Sequence, residues 1–445
     1  MRDREYVGKR LTRLPRPSEV DVQDPQRGMP DRGNLVGRLW RHGDFCRLWA
    51  GETVEWVTDS ISAIGVPTLA YYFFHAGALD MGILYALGYI AYPILGLPAG
   101  VCVDRWRRKP VLIWTNIIQV VALASIPLAF LFGVLSLNQL FLVSFVMSAT
   151  VVFFNIAYTA YLPTLIDRDD LVEGNSKLET SYDGSTVIGP TLAGAVMQVF
   201  GIAQSIAADA VGTLVAAIAI FSIRKQEPLP KRRAEPHFLN ELREGLRCVA
   251  ESPPLRTLIV AGSVLNVGNS MFYALFLLFM YDELKISIEL ATIILSIGAV
   301  GFVIGAVTAP TFLKRLGLAG CLVLALLFNG VWRLAIPFVT YGPTLVLVSS
   351  FWLLSNIGIP IWNVNQVSFR QALVSDELQG RMNATMRTFG YGAYTAGALL
   401  GGILGSVYGI IPTMVYGAVI ALIAVPIAQF GPLGKLIDTR RRDNG

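Results

Sequence analysis

The sequence predicts an all-α polytopic membrane protein with twelve transmembrane helices in two six-helix pseudo-repeats. Three observations carry this prediction: long apolar runs that begin at residue 48, a one-sided placement of lysine and arginine between them, and an internal repeat. The composition agrees, since a chain of 445 residues with 54% hydrophobic and 15% charged residues has too few polar side chains to cover a soluble protein.

Each apolar run is long enough to cross a bilayer, which takes about 20 residues of helix. We assign the spans to residues 48–74, 81–103, 111–133, 139–163, 180–200, 203–223, 257–281, 289–312, 318–340, 343–369, 384–406 and 409–429. If the chain crosses alternately, one set of connections, with the adjoining span ends and both tails, contains every Lys and Arg except Lys285 and Arg333. The positive-inside rule then predicts that both termini are cytoplasmic.

The two halves of the chain also repeat each other. The segment Gly189-Pro190-Thr191-Leu192-Ala193-Gly194 in span 5 aligns with Gly397-Ala398-Leu399-Leu400-Gly401-Gly402 in span 11, and the register continues into Gly201 and Gly409. Residues 169–171 and 376–378 align at nearly the same offset, which argues against chance similarity between glycine-rich helices. Repeats with an even number of spans share one orientation, as in one class of secondary transporters.

The predicted organisation has five parts. They are a disordered cytoplasmic tail at 1–45, a six-helix bundle at 46–223, a cytoplasmic linker at 224–254, a second six-helix bundle at 255–431 and a cytoplasmic tail at 432–445. The first tail mixes Arg with Asp, so we expect it to contact anionic lipid and not nucleic acid. The pattern of residues 238–249 predicts a surface helix. A simple spacer that lies on the lipid headgroups explains this helix equally well.

The sequence lacks the motifs of several other classes of protein. Its four cysteines have no metal-ligand spacing, and no G-x-x-x-x-G-K-[ST] segment is present to bind ATP. No nucleophile and base are placed as in an enzyme. We therefore expect no metal, no cofactor and no obligate protein partner, and expect the bilayer, protons and a small molecule as partners.

The connection between spans 2 and 3 reads Gly100-Val101-Cys102-Val103-Asp104-Arg105-Trp106-Arg107-Arg108-Lys109. Its cations mark the cytoplasmic side, while Asp104 can face a helix N-terminus. We interpret part of it as a conformational latch made of Gly100, Asp104, Arg105, Arg108 and Lys109. The alternative is that the cations only set topology. The loop resembles the first signature loop of the major facilitator superfamily, with Arg107 in place of the usual Gly, and the second-half counterpart at 314–317 lacks the acid.

Span 5 contains Gly189, Pro190 and Gly194 within one turn and a half. Small residues let helix backbones approach closely, and Pro190 kinks the helix because it removes a hydrogen bond. The segment resembles the antiporter signature of the same superfamily, with Ala193 at a usual Gly. A kinked packing helix is the simpler explanation, but its placement in span 5 together with the preceding loop favours export.

Shorter segments resemble the macrolide-efflux and enterobactin-exporter group of that superfamily. They are Arg47-Leu48-Trp49-Ala50-Gly51, the segment 171–176 and Trp362-Asn363-Val364-Asn365-Gln366. The resemblance covers essentially everything after Phe45. It implies the major facilitator fold, spans 1, 4, 7 and 10 around a central cavity, and outward pumping of drug-like or siderophore-like molecules across a bacterial plasma (inner) membrane.

Span 1 carries three carboxylates, Glu52, Glu55 and Asp59, on one helical face. Ionisable groups inside a membrane are costly and usually functional, so we predict that Asp59 and Glu55 exchange protons. Glu52 lies within a turn of the cytoplasmic surface, where solvation alone explains it. Asp183 in span 5 either joins these acids or pairs with Lys177.

Asp209 and Arg333 are interpreted as packing or interfacial charges whose partners the sequence does not identify. Buried amides cluster on spans 4, 7 and 10, which favours a binding site over separate interhelical contacts. The predicted substrate-binding residues are Glu55, Asn155, Tyr158, Asn266, Asn269, Trp362, Asn363 and Gln366. Aromatic side chains that could form a cavity wall are Tyr71, Tyr72, Tyr158, Phe272, Tyr273 and Trp362.

These features predict a proton-coupled exporter of a drug-like, antibiotic or siderophore-like amphipathic molecule that works by alternating access. A proton symporter that imports a nutrient is the first alternative. A membrane receptor without transport is the second.

Overall fold

The structure, a computed structural model, describes residues 39–227, 238–339 and 343–432. Every regular element in these ranges is helical. The helices are α1 (Gly43–Phe74), α2 (Ala78–Leu87), α3 (Ala91–Arg105), α4 (Arg108–Leu131), α5 (Leu137–Leu165), α6 (Leu171–Phe200), α7 (Ile202–Phe221), α8 (Phe238–Glu251), α9 (Pro253–Leu278), α10 (Ile288–Ala335), α11 (Thr344–Leu373), α12 (Asp376–Tyr408) and α13 (Ile410–Phe430). The predicted all-α class is confirmed.

A helix lies at each of the predicted spans. Within the described residues, eight helical segments are long and apolar enough to cross a membrane by length and composition. Helices α1, α6 and α12 fall short of that criterion because charged, glycine and hydroxyl-bearing residues interrupt their apolar stretches. Helix α10 counts once although it contains two predicted spans, and the number of membrane crossings stays a prediction.

Span 2 consists of two helical segments joined by a turn, in which Gly88 and Ile90 keep helical backbone angles and donate to the carbonyls of Leu84 and Ala86. Helix α2 ends at Leu87 and α3 begins at Ala91, so residues 88–90 form the turn. Pro93 has no N–H to donate and restricts the backbone of Tyr92, so a continuous helix through this segment is disfavoured. Tyrosines on both sides of this turn contact the second half of the chain.

Spans 8 and 9 lie on either side of a sharp bend in α10. The bend is at Gly317, whose φ of 68° and ψ of 173° fall outside the helical region. A side chain disfavours a positive φ, and glycine has none, so this residue permits the reversal.

The backbone repeats its exceptional conformations in the two halves. Gly201, between α6 and α7, has φ 85°, and Gly409, between α12 and α13, has φ 90°. His75 after α1 and Lys285 after α9 both have φ 51°. These are the positions that the sequence repeat aligns or nearly aligns, so the two halves share turns as well as helices.

Among the described residues, the two halves share a hydrophobic cluster at one end of the molecule and have separate clusters at the other end. We call the end where α1 begins the basic end and the other the opposite end. At the opposite end one hydrophobic cluster joins Leu69 of the first half to Phe276 and Met414 of the second. At the basic end the buried residues form separate clusters, one around Tyr161 and one around Leu326. The space between the halves therefore opens toward the basic end.

Specific contacts reinforce the closed, opposite end. The hydroxyls of Thr68 and Tyr281 lie 3.0 Å apart across the two halves. The backbones of α2 and α12 touch at Gly82 and Gly402, where a Cβ on either residue would collide with the backbone of the other. Helices can approach this closely only where both side chains are absent.

Helix α8, in the described part of the linker, packs against the second half of the chain. Helix α8 lies against α12, where Glu244 forms an ion pair with Arg381, and Val249 is buried beside Leu255. This favours the predicted helix over the alternative of a spacer on lipid headgroups. Residues 228–237 lie outside the described residues.

The last residues of the predicted disordered tail at 1–45 are ordered in the structure. A 3-10 turn forms at Leu39–Arg41, and α1 starts at Gly43. Leu39 is 1% and Phe45 0% exposed, because both side chains fill the first-half cluster at the basic end. Residues 1–38 and 433–445 lie outside the described ranges.

Candidate functional site

The acidic stripe of α1 runs from the basic end toward the middle of the molecule. Glu52 is 0% exposed, Glu55 is half-buried and Asp59 is exposed to the space between the halves. Both carboxylate oxygens of Glu52 and Oε2 of Glu55 are buried without a hydrogen-bond partner among the described residues. The interpretation of Glu52 as a solvated surface acid is therefore wrong, because its side chain is fully buried and interacts electrostatically with Tyr158 of α5.

Asp209 is a fourth member of this acidic cluster. The sequence suggests a packing or interfacial charge, but Asp209 is 1% exposed and lies beside Asp59 and the Thr58 hydroxyl of α1. It also interacts electrostatically with Glu55. The sequence misses this role because span 6 gives no sign of which face of α1 it packs against.

Helix α6 adds two further acids. Lys177 pairs with Glu173 at 3.2 Å, so the predicted alternative of a pair between Lys177 and Asp183 does not form. Asp183 interacts electrostatically with Glu179 one turn earlier, and Glu179 with the phenol of Tyr158. Glu179 escapes prediction because it precedes the first apolar residue of span 5 and looks like part of a connection.

Two of the predicted amides are exposed. Asn155 is exposed and donates to the phenol oxygen of Tyr92 at 2.7 Å, and Asn363 is also exposed. Tyr158 is half-buried, with its hydroxyl lacking a partner in the described part of the chain. The half-buried Gln366 accepts a hydrogen bond from Arg370 at 3.3 Å.

Other predicted binding residues are packed inside the second half. Asn266 donates to the carbonyl of Gly390 at 3.3 Å and so joins α9 to α12. Asn269 is 1% and Trp362 5% exposed, so neither forms part of the cavity surface in this structure. The amide oxygen of Asn269 accepts a hydrogen bond from Arg333, and Trp362 belongs to the hydrophobic cluster of the second half. Substrate contact by these two residues stays a prediction, which this buried arrangement does not support.

A cluster of tyrosines joins the halves at mid-height. Its members are Tyr85, Tyr89, Tyr92, Tyr273, Tyr391 and Tyr394. Tyr92 stacks on Tyr391 with ring centroids 3.9 Å apart, and Tyr89 stacks on Tyr394 at 5.1 Å. Tyr89 also interacts electrostatically with Asp59, so the cluster adjoins the acids.

The predicted aromatic wall is only partly found. Tyr273 belongs to the tyrosine cluster, while Tyr71 and Tyr72 pack on Tyr281 at the opposite end. Phe272 is 0% exposed inside the shared hydrophobic cluster. The tyrosine cluster could not be predicted because its rings come from span 2, α9 and α12, and the sequence does not show that these segments meet.

The loop at 104–109 is held by the linker and not by Asp104. Asp104 and Arg105 are exposed, and Gly100 has open space where a Cβ would stand. The carboxylate of Glu227 accepts hydrogen bonds from the backbone N–H groups of Arg108 and Lys109, at 2.8 and 3.1 Å. Glu227 thereby caps the N-terminus of α4, where a negative charge is favoured.

Charged side chains of the same loop complete this connection. Arg108 forms an ion pair with Glu227 at 3.3 Å, and the Lys109 ammonium donates to the carbonyl of Ile223 at 2.6 Å. In this conformation two of the three predicted latch cations, Arg108 and Lys109, thus bind the end of α7 and the start of the linker. An acid after span 6 is the signal that could have suggested this cap.

The start of the linker is also bound by α1. The carboxylate of Asp44 accepts hydrogen bonds from the backbone N–H groups of Arg224 and Lys225, at 3.1 and 2.9 Å, and from the Arg47 guanidinium at 2.6 Å. Burial alone would raise the pKa of Asp44, but these bonds outweigh it and hold that pKa below its usual value. Asp44 therefore stays ionised and fixes residues 224–225 to the first half.

The glycines of span 5 lie at helix contacts. A Cβ on Gly189 would collide with Ser60 of α1, and one on Gly194 with Thr292 of α10. Between them, Thr191 and Ser296 place their hydroxyls 2.8 Å apart. The Gly-Pro segment is therefore where α6 contacts both its own half and the other half.

Comparison with known proteins assigns the chain to a family. A family model described as Major Facilitator Superfamily matches residues 48–398. Macrolide efflux protein A of Streptococcus pyogenes is 25% identical over 244 residues, which cover 54% of this chain and 59% of that protein. The chain thus spans little more than half the length of that relative. Multidrug efflux pump Tap of Mycolicibacterium fortuitum is 25% identical over 406 residues, covering 88% of this chain and 96% of that protein.

A solved structure supports the same fold. The crystal structure of a bacterial homologue of the iron transporter ferroportin in its inward-facing state superposes with a TM-score of 0.71 at 19% sequence identity. The match covers 86% of this chain and 98% of that chain. At this identity the likeness shows the fold alone.

Proposed function

The chain belongs to the Major Facilitator Superfamily, and on that premise we propose that it exports an amphipathic drug-like, antibiotic or siderophore-like molecule in exchange for protons. The observation that carries the proposal is the acidic cluster of Glu52, Glu55, Asp59 and Asp209, placed in the wall of a space that is closed at one end only. The efflux proteins among its relatives support the direction and the kind of substrate.

The orientation follows from charge. The Lys and Arg residues gather at the basic end, so the positive-inside rule assigns that end to the cytoplasm. The space between the halves then faces the cytoplasm, and the contacts at Gly82, Gly402 and Tyr281 form the closed outer side. A substrate would enter from the cytoplasm or the inner leaflet in this state.

Proton exchange would centre on Asp59 and Glu55. Four carboxylates this close, two of them buried without full hydrogen bonding, cannot all be ionised cheaply in a membrane protein interior, so the cluster must hold protons. Asp59 is exposed and can exchange them with water, while Asp209 interacts electrostatically with Asp59 and Glu52 with Glu55. Asp183 and Glu179 extend the negative potential along α6.

Substrate binding would use the polar side chains that face the same space. We assign this role to Glu55, Asn155, Tyr158, Asn363 and Gln366, with Asn266 behind them. An anionic carboxylate beside aromatic rings favours a cationic group on the ligand, and amides supply hydrogen bonds to its polar atoms. Protonation of the carboxylates would release the cation, which couples the two movements.

The latch would operate in the state that is closed at the basic end. Asp104, Arg105 and the small residue Gly100 have no close contacts here that would hinder the approach of another helix. Arg108 and Lys109 already hold the loop on α7 and the linker. When the basic end closes, Asp104 would face a helix N-terminus of the second half.

Transport in proteoliposomes of known orientation tests the proposal. Ethidium, an amphipathic cation, and erythromycin, a macrolide, are the probes, and a proton gradient acid on the side of the opposite end is imposed. We expect both probes to move toward the acid side against their own gradients. Movement only together with protons, away from the acid side, would support the symporter alternative, and no gradient-driven movement of either probe would contradict export of this class of molecule.

A further inference from the structure

Arg333 of α10 is buried in the second half with neutral partners. Its side chain is 0% exposed. Nη1 donates to Oδ1 of Asn269 at 2.5 Å, and Nη2 donates to the phenol oxygen of Tyr273 at 3.3 Å. The guanidinium also lies over aromatic rings, with its carbon 4.6 Å from the Tyr273 centroid and 5.6 Å from that of Trp352.

Such a charge is costly unless it has a specific task. No carboxylate lies within ion-pair distance of Arg333 in residues 39–227, 238–339 and 343–432, and its Nε has no hydrogen-bond partner there. A buried apolar residue of similar volume commonly costs no stability in place of a buried charge. Core stability alone therefore gives no reason for an arginine at this position.

The phenol of Tyr273 links Arg333 to the contact between the halves. That hydroxyl donates to Oδ1 of Asn356 at 3.2 Å, so α9, α10 and α11 meet at one polar group. The ring of Tyr273 stacks in parallel on Tyr85 of α2, with centroids 6.3 Å apart and planes 7° apart. Tyr85 belongs to the first half, so Tyr273 is where the second half meets span 2.

We propose that Arg333 is a positioning residue for alternating access: it fixes Tyr273 against Tyr85 and so stabilises the state closed at the opposite end. The proposal rests on the alternating-access part of the proposed function and requires neither proton coupling nor a particular substrate. A guanidinium suits the task because its planar fork serves two acceptors at once, Asn269 and Tyr273, which an ammonium does with less defined geometry.

The test reports on the opposite end directly. A cysteine replaces Ala78, which is 8% exposed and lies against Gly405 at that end. The four native cysteines are replaced by alanine, and the protein is purified in lipid nanodiscs so that both faces are accessible. The rate of labelling by a maleimide then measures how often the opposite end opens.

We expect Arg333→Met and Tyr273→Phe each to raise the labelling rate about tenfold, the equivalent of ~1.4 kcal/mol and within the range for a hydrogen bond to a charged group. The double variant should label no faster than either single one, because both remove the same contact. Arg333→Lys keeps the charge and should fall between them and the parent protein.

Asn329→Ala is the matched control. Asn329 lies one turn before Arg333 on α10, is also buried, and donates to the carbonyl of Ser355 on α11 at 3.1 Å without contacting Tyr273. It should leave labelling unchanged. Parent-like labelling in Arg333→Met, or an equal rise in Asn329→Ala, would overturn the proposal. If Arg333→Met does not insert, parent-like labelling in Tyr273→Phe overturns it by itself. If proton-driven transport were not observed in proteoliposomes, the proposed function would fail, but these labelling rates would still test the role of Arg333.

Discussion

At the scale of single residues, the carboxylates of α1 differ in access to water although they share one helical face. Glu52 is fully buried, while Asp59 faces the space between the halves. The helical period gives the shared face, but burial depends on the neighbouring helix. The exposed Asp59 is therefore the member that we propose loads and releases a proton, and Asp209 is the neighbour that interacts with its charge.

Replacing Asp59 by Asn should abolish proton-driven export and leave exchange of substrate. An amide keeps the size and polarity of the side chain but carries no proton, and exchange needs no net proton movement. The measurement compares gradient-driven ethidium transport with ethidium exchange in the same proteoliposomes. Asp169→Asn, at an exposed acid between α5 and α6, is the control and should retain both activities.

Replacing Glu55, on the same acidic face of α1, by Gln tests the other predicted proton-exchanging residue. It should weaken transport of cationic probes more than of neutral ones, because it removes a Coulombic partner and keeps a hydrogen-bonding side chain.

An Asp59→Asn protein that still concentrates ethidium against its gradient would remove Asp59 from the coupling mechanism.

At the scale of helices and loops, the ends of elements are where the sequence was least informative. Span 2 contains Gly88 and Pro93, yet a long apolar run gave no reason to divide it. The cap of α4 comes from Glu227, which is distant along the chain, and not from Asp104 two residues before Trp106. Local patterns locate a helix, but the groups that complete its ends come from whichever segment the fold brings there.

Asp104→Asn should lower transport without lowering the amount of protein in the membrane. If Asp104 faces a helix N-terminus in the state closed at the basic end, its charge contributes about 0.3–2 kcal/mol to that state, a factor of ~2–30 in population. Labelling of Cys102 from the basic end should rise accordingly when the other three native cysteines are replaced.

Asp104→Glu provides the matched variant, since it keeps the charge and should retain most transport. Unchanged transport and labelling in Asp104→Asn would leave the cations of this loop as a topology signal only.

Asp44→Asn should destabilise the connection between α1 and the linker in a pH-dependent way. The pKa of Asp44 is lowered in the folded protein, so its stabilisation is complete above the usual carboxyl pKa near 3.8 and is lost as pH falls through the folded value. We expect a lower melting temperature for Asp44→Asn at pH 7, equivalent to about 1–3 kcal/mol for a charged hydrogen-bonding group.

The difference in melting temperature should begin to shrink as pH falls below about 4, where the unfolded carboxylate binds a proton, and should vanish once pH is below the lowered pKa of the folded protein. Asp169→Asn is the exposed control and should melt like the parent protein at both pH values. A difference for Asp44→Asn that is independent of pH would contradict the electrostatic explanation and indicate lost packing only.

At the scale of the whole molecule, the two halves are alike in backbone but unequal in charge. The turns at Gly201 and Gly409 have nearly the same φ, yet the carboxylates gather in the first half and the buried Arg333 lies in the second. The repeat gives both halves the same helix packing, while substitutions at single positions give the two sides of the space between them different charges. Proton exchange and the positioning of the tyrosine contact are thus assigned to different halves.

The orientation in the membrane can be tested by reporter fusions along the chain. Because the cations lie at the basic end, fusions after Leu79 and Leu137 should be external, and fusions after residue 236, outside the described residues, and at the C-terminus should be internal. Paired alkaline phosphatase and green fluorescent protein fusions give opposite signals and control for expression. An external signal after residue 236 would contradict two repeats of six spans.

The sequence by itself determined the helical membrane fold, the repeat and the acidic face of span 1. Short windows of sequence contain these features, because hydropathy over about 20 residues and a period of 3.6 residues do not depend on neighbouring helices. The family followed from short motifs in loops and at glycine contacts, where the backbone itself restricts the side chain.

Only the tertiary structure decided which polar side chains meet. Asp209 joins the acids, Asn269 turns inward to Arg333, and the tyrosines of span 2 face those of α12. Each of these contacts depends on the rotation and depth of two helices relative to one another. Those quantities are set by packing between residues far apart in the chain, which no window along the sequence contains.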